Sequence, residues 1–225
     1  PVGARLPVMQ GTSFAFVPVM IGAAKMGMGT LFGGIVIGGL FHAFMGLFIG
    51  KIRHWFPPLV SGIIILAIGI YLIPVGIQYA AGGAGDFNMS KPTWGGLGNW
   101  SLAIIVILVS FGLKFWTKGI ISSSSVLLGM IVAYVIAIFM GDVNFSGVSK
   151  AAWFALPEPF KYGFDINLTV IIAMCLMSIV SAIETVGDIS GIAKGGANRE
   201  ATDKELQGGT YADGIGTAVA GIFGG

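Results

Sequence analysis

Charge is what this sequence has least of. Lys, Arg, Asp and Glu together make up 10% of its 225 residues, ten acids against twelve bases. A typical globular chain carries roughly 25%. So little charge could not cover the surface of a water-soluble domain. The shortage also excludes a charge-rich disordered chain and a nucleic-acid binder with a strongly basic or acidic face. A single cysteine excludes a disulfide-built domain. Enzyme signatures are missing too. There is no HExxH, no GxSxG, no P-loop, no aspartate-rich prenyl-binding motif, no paired His for haem and no metal-ligand spacing.

What is present is apolar. Hydrophobic residues are 55% of the chain, glycine accounts for 37 positions, and the mean hydropathy is +0.90. The expected fold class is an all-α polytopic membrane protein or a piece of one. The uncharged run from Gly214 to Gly225 is short for a span, which needs about 20 apolar residues. The natural protein is therefore expected to continue.

Uncharged runs of span length mark the helices. They are Met26–Gly50, the centre of Trp55–Gly85 at Leu59–Ala80, Pro92–Leu113, Gly119–Gly141 and Ile166–Ile183. Leu206–Gly225 follows with one charge, Asp213. The stretch Leu6–Ala24 is uncharged but broken by Pro7, Gly11 and Pro18, with Gln10, Thr12 and Ser13 between. Its TSFAFV segment reads as a short strand inside an interrupted span. A Pro-kinked helix is the alternative.

Counting the interrupted span as the first, alternate connections collect Arg5, Lys51, Arg53, Lys114, Lys118, Lys194, Arg199 and Lys204 on one side. Lys25, Lys91, Lys150 and Lys161 fall on the other. Eight against four makes the first side cytoplasmic. Trp55, Trp94, Trp100, Trp116 and Trp153 fall near span ends, as an aromatic belt requires. Gly29, Gly33, Gly34, Gly38, Gly46 and Gly50 include GxxxG spacings, which suit a helix packed on all sides.

Three acids at membrane depth carry the chemistry: Glu184, Asp188 and Asp213. A charged residue at a helix centre costs roughly 2.5–3.5 kcal/mol on insertion scales, so its presence points to function. Glu184 and Asp188 are four apart and share a helix face. Such a pair suits a proton carrier, or a group that accepts N–H donors from a ligand. Asp188 bonded to backbone near a helix end, with Glu184 paired to another helix, is the structural alternative. Asp213 in YADG also reads as an N-terminal cap or first-turn acid. His42 reads as a packing or backbone-bonded residue, Cys175 as packing, and Ser122–Ser125 as hydroxyls bonded to their own helix.

The segments RLPVMQGTSFAFVPVM at the start, WFALPEPFKYGFDIN at 153–167, AIETVGDISGIAK at 182–194 and GGTYADGIGTAVAGIFGG at 208–225 resemble the nucleobase–ascorbate transporters. These are the nucleobase:cation symporters, among them the bacterial uracil and xanthine permeases. The resemblance runs over essentially the whole chain and implies spans three to nine of fourteen. The implied fold is two inverted repeats of seven, split into core and gate domains, with short strands in the interrupted spans. Residues 1–50 and 165–225 would belong to the core, 55–141 to the gate, and 142–164 to an extracellular loop. The family's substrate glutamate falls on Glu184, and the Phe lying against the base falls on Phe14. Uracil permeases usually have His at position 188 and Asn at 213. Asp188 and Asp213 therefore resemble the xanthine/urate branch. The family's tenth-span signature would lie beyond Gly225.

The resemblance implies proton-coupled uptake of xanthine or urate across the bacterial inner membrane, without a cofactor or metal. Glu184, Asp188 and Asp213 would serve coupling and the site network, and Phe14, Glu184 and Asp188 the base. The partners implied are a nucleobase, membrane lipid and a second copy in a homodimer, with no nucleic acid. A uracil permease of the same family is the alternative. Outside it stand a sulfate-type anion transporter, a membrane-embedded enzyme and a structural subunit. The acid pair speaks against an anion site.

Overall fold

The computed structural model describes residues 2–9, 11–52, 58–152, 154 and 156–224. The chain divides into two compact units, one of Pro1–Ile70 with Leu156–Gly225 and the other of Tyr71–Ala155. A 3-10 turn, Phe14–Phe16, leads into α1 (Val17–Met26) and α2 (Met28–Ile52). Then come α3 (Pro58–Ala80), α4 (Asp86–Met89), α5 (Leu97–Trp116), α6 (Ile120–Ser123), α7 (Ser125–Met140), α8 (Ser146–Lys150), α9 (Leu168–Ala197) and α10 (Asp203–Phe223). Arg53, Trp55 and Trp153, assigned above to loops and belt, lie outside the described residues, as does Gln10.

Two expectations need correction. No strand forms among the described residues. Among the described residues TSFAFV has no neighbouring strand to pair with, and its backbone closes on itself instead. The Ser13 hydroxyl accepts the Ala15 N–H at 3.1 Å and starts the 3-10 turn. Pro18 then sits in the first turn of α1, where its missing N–H costs nothing. The run Gly119–Gly141 is also not one helix. It breaks at Ser124, between α6 and α7.

In the first unit α2 is packed on several sides, and small residues allow it. A Cβ on Gly39 would come within 2.5 Å of the Ala218 nitrogen on α10, and one on Gly46 within 2.8 Å of the Tyr211 nitrogen. Gly34 and Gly38 instead face Val170 and Met174 of α9. The loop before α9 closes the far end. The Phe160 N–H donates to the Ile222 carbonyl at 2.7 Å, the Asp165 N–H to the Gly29 carbonyl at 3.1 Å, and Tyr162 stacks on Phe32.

Caps fix where α9 and α10 begin. The Asn167 side chain accepts the Thr169 and Val170 N–H groups. Thr202 and Glu205 form a capping box. Arg199 donates to both Glu205 oxygens, at 2.8 and 2.5 Å. Those bonds, with the Thr202 N–H, hold the Glu205 carboxyl down to about 2. Asp213 is therefore no cap, because Thr202 does that work a full three turns earlier.

In the second unit α5 and α7 pair through a stripe of small residues, Ser125, Gly129 and Ala133, buried on α7. The Trp94 indole donates to the Gly83 carbonyl and Asn99 to the Ala81 carbonyl, which ties the α3–α5 connection.

Candidate functional site

The site grows from α9. This helix continues well past Ile183, where the uncharged run ends, to Ala197. Glu184 and Asp188 therefore stand inside a continuous helix, one turn apart. Asp188 is not at a helix end, which removes the structural alternative for it. Asp213 stands in the middle of α10 and is mostly buried.

All three acids line one open cavity of about 400 Å³, together with Ser13, Ser181 and Thr185. No Lys or Arg is among the described residues lining it. The Ser13 hydroxyl donates to Glu184 Oε2. One side chain thus starts the 3-10 turn and orients the carboxylate across 171 residues of sequence. On the other side, Thr185 Oγ1 lies 2.6 Å from Asp213 Oδ2 and 2.9 Å from the Ser181 carbonyl. Glu184 and its chain neighbour Thr185 therefore connect the interrupted span to α10. Asp213 also lines a second open cavity of about 470 Å³, shared with Arg5, Thr12 and Thr217.

Phe14 stands apart from this group. It is 64% exposed and lines neither cavity. Its chain neighbour Ser13 is the residue that reaches Glu184. His42 is neither exposed nor bonded to backbone. It is fully buried, with no hydrogen-bond partner for either ring nitrogen among the described residues.

Sequence reasoning left Ser13, Ser181 and Thr185 out of the site. Hydroxyl residues are common in helices and carry no spacing signal. The available clue was adjacency, since Ser13 precedes Phe14 and Thr185 follows Glu184.

Such a cavity can accept N–H donors from a polar ligand and take up or release protons. Among the described residues it offers no basic side chain to counter an anion. The chain matches the Xan_ur_permease family, described as a permease family, over residues 1–225. It belongs to that family. The permease chain is 35% identical over 226 residues to the uric acid permease PucJ of Bacillus subtilis, covering 99% of this chain and 50% of that protein. It is 35% identical over 223 residues to the xanthine permease of the same organism, covering 98% and 50%. It is 32% identical over 226 residues to the uric acid transporter UacT of Escherichia coli, covering 99% and 46%. The chain spans about half the length of the curated relatives it matches.

Four of its described helices are long and apolar enough to cross a membrane, at Met28–Lys51, Leu59–Ala80, Leu97–Trp116 and Leu168–Ala197. A permease family and four such helices are consistent with a piece of a multi-pass membrane protein.

Proposed function

We propose that the complete protein carries a purine base, xanthine or urate, across the bacterial inner membrane together with protons. The observation that carries this reading is the convergence of Glu184, Asp188 and Asp213 on one cavity beside the interrupted span. Glu184 accepts ring N–H groups of the base, with Ser13 holding its second oxygen. Asp188 contacts the base or tunes Glu184. Phe14 closes against the planar ring, which has an aromatic face and polar edges to satisfy. Carboxylates without a basic neighbour in the cavity are suited to bind protons during the cycle. Two relatives named for uric acid and one for xanthine favour a purine.

The architecture proposed with it is fourteen spans in two inverted repeats, assembled as a homodimer. Residues 1–50 and 165–225 contribute to a core and 55–141 to a gate, joined by the extracellular loop 142–164. The base and its protons then cross by movement of core against gate.

The test uses the complete reading frame in cells lacking their own nucleobase permeases. Uptake of labelled xanthine, urate and uracil is measured with and without a protonophore. Protonophore-sensitive purine uptake, lost in Glu184→Gln, is expected. Uracil uptake in place of purine uptake overturns the substrate, and normal accumulation by Glu184→Gln overturns the site.

A further inference from the structure

His42 is a buried polar side chain that the proposed site leaves unused. It is 0% exposed, and both ring nitrogens are without a hydrogen-bond partner among the described residues. Leaving such a group unpaired in a dry interior is costly, and native structures rarely do it without a reason. The acid facing it is Asp213, whose Oδ2 lies 3.9 Å from His42 Nε2. That is about 1 Å beyond a hydrogen bond.

His42 stands one turn from Gly39 and one from Gly46, on the glycine seam between α2 and α10. A Cβ on Gly214 would run into the backbone of Ala43, and Gly39 and Gly46 lie against Ala218 and Tyr211. On α10, Thr210 and Thr217 flank Asp213 at one turn on each side, and both hydroxyls are also buried without a partner among the described residues. From α9, Thr185 already donates to Asp213 Oδ2, the oxygen nearest His42. Among the described residues, the other charged groups lining the cavities that Asp213 lines are Glu184 and Asp188 of α9 in the first and Arg5 of the amino-terminal segment in the second.

We propose that His42 is a positioning residue for Asp213. Its Nε2–H donates to the Asp213 carboxylate in one state of the transport cycle and releases it in the state described here. The bond forms by a shift of about 1 Å along the α2–α10 seam. Because Thr185 bonds the same carboxylate and follows Glu184 in the chain, holding Asp213 also sets the turn of α9 that carries Glu184. The proposal rests on the transport reading above for its functional consequence, but the bond itself does not.

Two measurements on the complete protein test it. The first is ¹⁵N NMR of histidine-labelled purified protein, with His42→Gln to assign the signal. With spectra taken with and without each of the three bases, a ring protonated at Nε2 is expected, whose resonance shows a hydrogen-bonded shift in one of these conditions and loses it in Asp213→Ala, which leaves no acceptor. A His42 signal indifferent to Asp213→Ala in every condition overturns the proposal. The second is uptake kinetics at matched amounts of folded protein. His42→Leu is expected to lower Vmax about tenfold at little change in KM, the size of one lost buried hydrogen bond. His42→Gln, which keeps an N–H donor, is expected to restore most of it. Equal loss in Leu and Gln variants, or no loss in either, overturns a positioning role. If the wild type moves none of the three bases, the function proposed above falls while the NMR result still decides the bond.

Discussion

The seam between α2 and α10 and the pairing of α5 with α7 both rest on small residues, yet they do different things with them. Along α2 and α10, glycine brings two backbones into contact, and polar side chains are enclosed beside them. His42, Thr210, Asp213 and Thr217 are all buried there. Between α5 and α7, Gly129 admits Ser110 and the Val106 carbonyl. No residue of α5 is buried, whereas nine of α9 and nine of α10 are. Large apolar side chains such as Leu108, Phe111 and Phe115 stay exposed on α5. Polar groups at membrane depth are tolerable where neighbouring helices enclose them. Chemistry therefore concentrates in the first unit. The second presents apolar surface suited to lipid or to other helices.

The largest expected effect separates the two units functionally. Glu184→Gln should lower purine uptake by the complete protein at least about 100-fold, the scale of a lost charged hydrogen bond. Leu108→Ala on α5 should leave it within about twofold, as surface substitutions do. Equal loss from both would break the comparison. Next comes a single substitution with opposite signs. Gly214→Ala pushes a Cβ into the Ala43 backbone and should cost about 1–3 kcal/mol or more. Gly76→Ala on α3 meets nothing within 4 Å and should stabilise the helix by about 0.5–1 kcal/mol. Thermal unfolding in detergent compares the two.

A smaller effect is expected inside the site. Thr185→Val removes the 2.6 Å bond to Asp213 and should cost about 1–2 kcal/mol of stability, with a several-fold fall in Vmax. The smallest lies at the start of α10. Glu205 is held down to about 2 by Arg199 and the Thr202 backbone. Its stabilising contribution is present in full above the ordinary carboxylate range and fades as pH falls toward about 2. Glu205→Gln should therefore lower the melting temperature at pH 6, and the gap should shrink at pH 3. A gap that stays constant would mean that the cap acts without the charge.

Most helices were legible because hydropathy is read from consecutive residues. Met26–Gly50, Leu59–Ala80 and Pro92–Leu113 correspond to α2, α3 and α5 with modest shifts at their ends. Helix α9 runs past Ile183 because a charge ends an uncharged run without ending a helix. Its actual stop is Asn198, in the left-handed conformation. Ser124 breaks a run that hydropathy reads as continuous. The TSFAFV segment failed for a different reason. Strand propensity needs a partner strand to express it, and Ser13 supplied a local cap first.

The site divides in the same way. Glu184 and Asp188 share a face because they are four apart on one helix, which spacing alone determines. Their scarcity in an apolar chain is enough to mark them, along with Asp213. That Thr185 reaches Asp213 and that His42 stops 3.9 Å short of the same carboxylate follow from the crossing of α2, α9 and α10, and that Ser13 reaches Glu184 follows from the packing of the 3-10 turn against α9. That crossing depends on backbone contact at particular glycines among 37, and composition does not say which of them meet. Local chemistry thus sets where helices run and which residues are expensive. Long-range packing decides which of those residues share one cavity, because hydrogen bonds act over about 3 Å and only the folded chain brings the partners that close.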